Sequence, residues 1–152
     1  MSAIASFIKV PKTALDGLRR AASQGGYHGF FHQHGRPVAD YRYSGYLLAT
    51  LLCYLQEQHQ VDLMHSEHDE LSTFLTNQRE ATHFIFTNAH RQACLDKLDP
   101  QLFSEARLRD FHNEINETDE PEVGQPLLDG IRALRQSLSA LDESSVIVFS
   151  IV

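Results

Sequence analysis

Apolar residues crowd both ends of this chain at strand-like density. Ala3 to Val10 and Ser145 to Val152 read as β-strands, while the interior repeats its apolar positions mostly at helical spacing. The closing segment carries Val146, Ile147, Val148, Phe149, Ile151 and Val152. It leaves no polar face for water and is expected inside a sheet rather than at its edge. Termini fray unless they are tied into a sheet, so ends of this kind point to one closed domain over residues 1–152.

Between the ends, Pro11 suits a first helical turn, and Ala14, Leu15, Leu18, Ala21 and Ala22 follow at helical spacing up to Gly25 and Gly26. Ser23 to Asp40, with four glycines, Pro37 and three histidines, reads as a long loop with room for a short helical piece at Phe30 to His34. Val38 to Tyr43 is an additional short strand candidate. Ser44 is placed to cap a central helix striped by Leu48, Leu51, Leu52 and Leu55. Ser66, with Asp69 three residues on, opens another helix whose inner face is Leu71, Phe74 and Leu75. The period then shortens, and His83 to Thr87 reads as an internal strand.

Thr87 can cap a helix bearing Ala93, Cys94 and Leu98, and Asp99-Pro100 breaks it and starts the next, faced by Leu108, Phe111 and Ile115. Glu114 to Glu122 is an exposed acidic connection. From Pro126, Leu127, Ile131, Leu134, Leu138 and Leu141 form the clearest amphipathic pattern in the chain. The expected fold is α+β: a small sheet that includes the N- and C-terminal strands, covered by five or six helices.

A formal charge of −7 over 152 residues would repel a phosphate backbone or an anionic membrane surface, which argues against nucleic acid and membranes and for a basic protein partner. Cys53 and Cys94 sit among apolar helical residues, which suits buried reduced thiols and a cytoplasmic location. No run approaches membrane-spanning length, and the N-terminus lacks the pattern of a signal peptide.

Three stretches carry a resemblance. They are Ala5-Ser6-Phe7-Ile8 leading to Leu18, Phe84-Ile85-Phe86-Thr87 followed by Leu95 and Leu98, and the closing Val146-Ile147-Val148. In these the chain resembles the YfbM-like family of small uncharacterised bacterial proteins. The family's Tyr-Pro segment before the last long helix is replaced here by the acidic stretch Asn116 to Glu122. The resemblance implies an α+β fold and, because that family has no established activity, no mechanism.

The candidate chemistry lies in three clusters. His65, Glu67, His68 and Asp69 hold imidazoles and carboxylates of the kind that ligate zinc, although Ser66 as a cap and the helix dipole explain the same residues without a metal. His28, His32 and His34 lie beside Tyr27, Phe30 and Phe31. In an extended segment His32 and His34 would face one side, as a ligand-binding loop requires. Glu114, Glu117, Asp119, Glu120 and Glu122 make an acidic stretch able to steer a basic partner.

No serine occupies a Gly-x-Ser-x-Gly elbow, the glycines lack dinucleotide-binding spacing, and the cysteines are not placed as nucleophiles. The chain is therefore expected to need no cofactor and to act as a non-enzymatic protein-binding module, an inhibitor or immunity-type factor with an acidic surface. The alternative is a metal-dependent enzyme or small-ligand-binding protein built on one of the histidine clusters.

Overall fold

A computed structural model describes residues 3–152. It shows an α+β fold in which four antiparallel strands, β1 (Ala5–Pro11), β2 (Arg36–Ala39), β3 (Thr82–Phe86) and β4 (Ser145–Ile151), stand in the order β2-β1-β4-β3. The last strand is internal, paired with β1 through Phe7↔Phe149 and Ile8↔Val148 and with β3 through Ile85↔Val148. All its residues are buried, as its largely apolar character requires.

Seven α-helices lie among the described residues, more than the five or six the pattern predicts: α1 (Leu15–Ser23), α2 (Tyr27–His34), α3 (Gly45–His59), α4 (Asp69–Arg79), α5 (Asn88–Cys94), α6 (Glu105–Asn116) and α7 (Gly124–Ser139). Alternation along the strands divides the core in two. Phe7, Phe86, Ile147 and Phe149 face a larger core with Leu48 and Leu51 from α3 and Leu127, Ile131 and Leu134 from α7. Val10, Ile85, Val146 and Val148 face a smaller core with Leu18, Phe30, Phe31 and Leu75 from α1, α2 and α4. Gly130 permits the close crossing of α7 over α3, because a Cβ there would lie 2.8 Å from Leu51 Cδ2. No helix among the described residues is long and apolar enough to cross a membrane.

The stretch expected as a loop from Ser23 to Asp40 holds α2 and β2 instead, and its helical part starts at Tyr27 rather than Phe30. Tyr27, Phe30 and Phe31 are spaced to share one helical face, and their burial outweighs the helix-weakening Gly29. The additional strand is Arg36–Ala39, not Val38 to Tyr43. The chain beyond it leaves the sheet for α7, where the Tyr41 hydroxyl donates to the Pro126 carbonyl at 2.9 Å and the Tyr43 hydroxyl to Asp129 Oδ2 at 3.3 Å.

Capping follows the sequence at Ser44, whose Oγ accepts the Tyr46 N–H at 3.3 Å. It departs at Asp99-Pro100, which opens a 3₁₀ turn (Pro100–Leu102) while Ser104 caps α6. The helix after Thr87 is also shorter than its pattern: α5 ends at Cys94, and Leu95–Leu98 continue as a 3₁₀ turn.

Phe149 is fully buried at the centre of the sheet, where its ring lies 5.0 Å from Phe7 and 5.3 Å from Phe86. Phe149→Ala should cost about 3–5 kcal/mol in urea denaturation. Ile4→Ala, at a residue 70% exposed, should stay within about 0.5 kcal/mol of the wild type. Equal losses for the two would contradict this placement of the core.

Candidate functional site

The segment before α4 is built by side chains that bond back to their own backbone. Asp62 Oδ1 accepts the Met64 N–H at 2.9 Å, and Asp62 Oδ2 lies 2.8 Å from His65 Nδ1. The Ser66 N–H donates to Asp69 Oδ1 at 2.8 Å, and the His68 N–H to Ser66 Oγ at 2.9 Å. Asp69 thus reaches back to the Ser66 N–H, but Ser66 does not cap α4: its Oγ takes the His68 N–H rather than the Asp69 N–H, and α4 begins at Asp69 with His68 at its N-cap.

The same turn separates the four residues considered as metal ligands. His65 and Asp69 line a cleft of about 260 Å³ between α4 and β3. Glu67 and His68 line a different cleft of about 340 Å³, shared with Lys12, Asp16 and Arg19. Among the described residues no group of three or more His, Cys, Asp or Glu side chains is placed to hold one ion. His68 Nε2 stands 3.5 Å from Glu67 Oε1 but makes no hydrogen bond. The hydrogen bond and charge of Asp62 raise the His65 imidazole above its ordinary value of 6.5.

His28, His32 and His34 lie on α2, so the extended geometry that would put His32 and His34 on one side does not occur. His28 Nε2 lies 3.2 Å from Arg79 Nη2, and the His34 ring packs 4.9 Å from Phe30. His32 is exposed.

Two buried histidines outside the candidate clusters, His83 and His90, tie separate elements together. His83 is 1% exposed. Its Nδ1 lies 2.8 Å from the Ala81 carbonyl, which can only accept, so Nδ1 carries the proton and Nε2 accepts the Tyr27 O–H at 2.6 Å. His90 fills the N3 position of the Thr87 capping box: its Nδ1 accepts the Thr87 N–H at 2.9 Å, and its Nε2–H donates to the His65 carbonyl at 2.7 Å. Burial lowers both imidazoles below 6.5. The only signal for His90 in the sequence is its place three residues after a capping threonine; His83 has none beyond its place in a strand.

The acidic stretch expected as a connection begins inside α6, which carries Glu114 and runs to Asn116; Glu117, Asp119, Glu120 and Glu122 follow in the turn before α7, and all five are exposed. Asn113 organises it. Its Oδ1 accepts the Glu120 N–H and the Thr118 hydroxyl, each at 2.9 Å, and its Nδ2 donates to the Glu120 carbonyl at 3.0 Å. Glu120 Oε2 turns back to the buried His112, accepting its Nε2–H at 2.7 Å. Glu114, Glu117, Asp119 and Glu122 take part in no ion pair among the described residues.

The architecture is that of an α+β protein with helices on both faces of an antiparallel sheet. No family model matches the chain, and no curated protein matches it. Among solved structures, the crystal structure of YfbM from Escherichia coli, a protein of unknown function, is similar over 98% of this chain and 99% of its own, with 17% identity and a TM-score of 0.49.

His83 and His90 make stability depend on pH with a definite sign. Both have folded-state values below the unfolded 6.5, so the unfolded chain takes up protons first as pH falls. Their contribution is complete above 6.5 and is lost as pH falls through 6.5 toward the folded values. The melting temperature should drop over that window. His90→Gln, which can still accept the Thr87 N–H without titrating, should flatten the drop; an unchanged slope in thermal melts would contradict the assignment.

Proposed function

We propose that this chain is a non-enzymatic protein-binding module, of inhibitor or immunity type, that meets a basic partner through the acidic turn between α6 and α7. The observation that carries this reading is the turn's construction. Its carboxylates stand in water on a backbone already held by Asn113 and by the Glu120–His112 bond, so little ordering cost is left for association. Exposed charge of one sign raises encounter rates with an opposite surface and is weakened by salt. The overall charge of −7 acts in the same direction. Free Cys53 and Cys94, with burial raising the Cys94 thiol above its ordinary value, fit action in a reducing cytoplasm.

The test uses the purified chain as bait in a lysate of the source cell. Replacing Glu117, Asp119 and Glu122 by Gln should lower partner recovery, as should raised salt, while the melting temperature stays within a few degrees of wild type. Glu120 is left in place because it holds His112. Asn113→Ala, which loosens the turn without changing its charge, should also weaken recovery. Full recovery by the triple variant at every salt concentration would overturn the reading.

A further inference from the structure

The cleft between α4 and β3 has a polar wall that the acidic-turn reading does not use. Asp69, Ser72, Thr73 and Thr76 recur at i, i+3, i+4 and i+7, which places them on one side of α4. All four line the cleft, with Met64 and Phe84 as its apolar wall. Ser72 is 6% exposed, yet its Oγ has no hydrogen-bond partner. Buried hydroxyls nearly always have one, and here the cleft that Ser72 lines is where a partner can sit.

The cleft has no free positive charge. His65 is paired with Asp62 at 2.8 Å, Asp69 Oδ1 is taken by the Ser66 N–H, and among the described residues no Lys or Arg lines the space. An anion therefore finds no free counter-charge. What remains is hydroxyl chemistry. Thr76 Oγ1 accepts the His83 N–H at 3.0 Å and keeps its own proton to donate, and Asp69 keeps acceptor positions beyond the one Ser66 uses. The volume of about 260 Å³ suits a ligand smaller than a drug-sized molecule.

We propose that this cleft binds a small neutral polyol of monosaccharide size, with its hydroxyls on Asp69, Ser72 and Thr76 and its apolar face against Phe84. The site lies on different elements from the acidic turn, and neither reading depends on the other.

Calorimetric titration and saturation-transfer NMR with D-glucose, D-galactose, N-acetylglucosamine and myo-inositol, with inorganic phosphate as the anionic control, test it. At least one polyol should bind and phosphate should not. Ser72→Ala and Asp69→Asn should each weaken binding by about tenfold, the loss expected for one hydrogen bond. Ser72→Ala should not lower the melting temperature, because the hydroxyl it removes is buried without a protein partner, and the Glu117, Asp119 and Glu122 to Gln variant should bind as wild type. Binding by none of the polyols, equal binding of phosphate, or full affinity in Ser72→Ala would overturn the proposal.

Discussion

The insertion of β4 between β1 and β3 is the pairing on which the rest of the structure depends. It joins the two ends of the described chain: the Ile4 N–H donates to the Val152 carbonyl at 2.8 Å, and the Val152 N–H to the Ile4 carbonyl at 2.9 Å. Both helical layers rest on this strand, since Ile147 and Phe149 serve one core and Val146 and Val148 the other. The pairing also spans almost the whole sequence, so the sheet closes only after a large loss of chain entropy.

Polar groups inside this frame act as fasteners. Ser6, Ser150 and His83 occupy one register row across three strands, with Ser6 Oγ 2.7 Å from Ser150 Oγ. Tyr27 of α2 reaches this row at His83, and Arg79 covers its ring at 4.3 Å from the centroid. His90 similarly ties α5 to the segment before α4, and His112 ties α6 to the acidic turn. His83 and His90 each join two elements because one ring nitrogen donates while the other accepts.

The outer edges of the sheet are protected differently. β2 is short and carries Pro37, which cannot donate to a further strand. At β3 the edge is closed by side chains, with Thr76 on the His83 N–H and His90 on the Thr87 N–H. The cleft beside β3 exists because α4 turns its polar side toward this edge.

Local pattern was enough to indicate the α+β class, the internal position of β4, the caps at Ser44 and Thr87 and the exposure of the acidic residues between Glu114 and Glu122, because apolar periodicity, caps and charge runs are written in residues a few positions apart, even where the partners they find are distant. It was not enough for α2, where Gly29 and the histidines hide an aromatic face that only burial against α1 and the sheet makes helical. The candidate site was half legible for the same reason. His65 and Asp69 do share a cleft, but a single turn sends Glu67 and His68 to another, and Ser72, Thr76 and His83 join only through packing of α4 on β3. Spacing along a chain sets which residues can share a face; which faces meet, and which polar groups are left without a partner when they do, is decided by the tertiary structure.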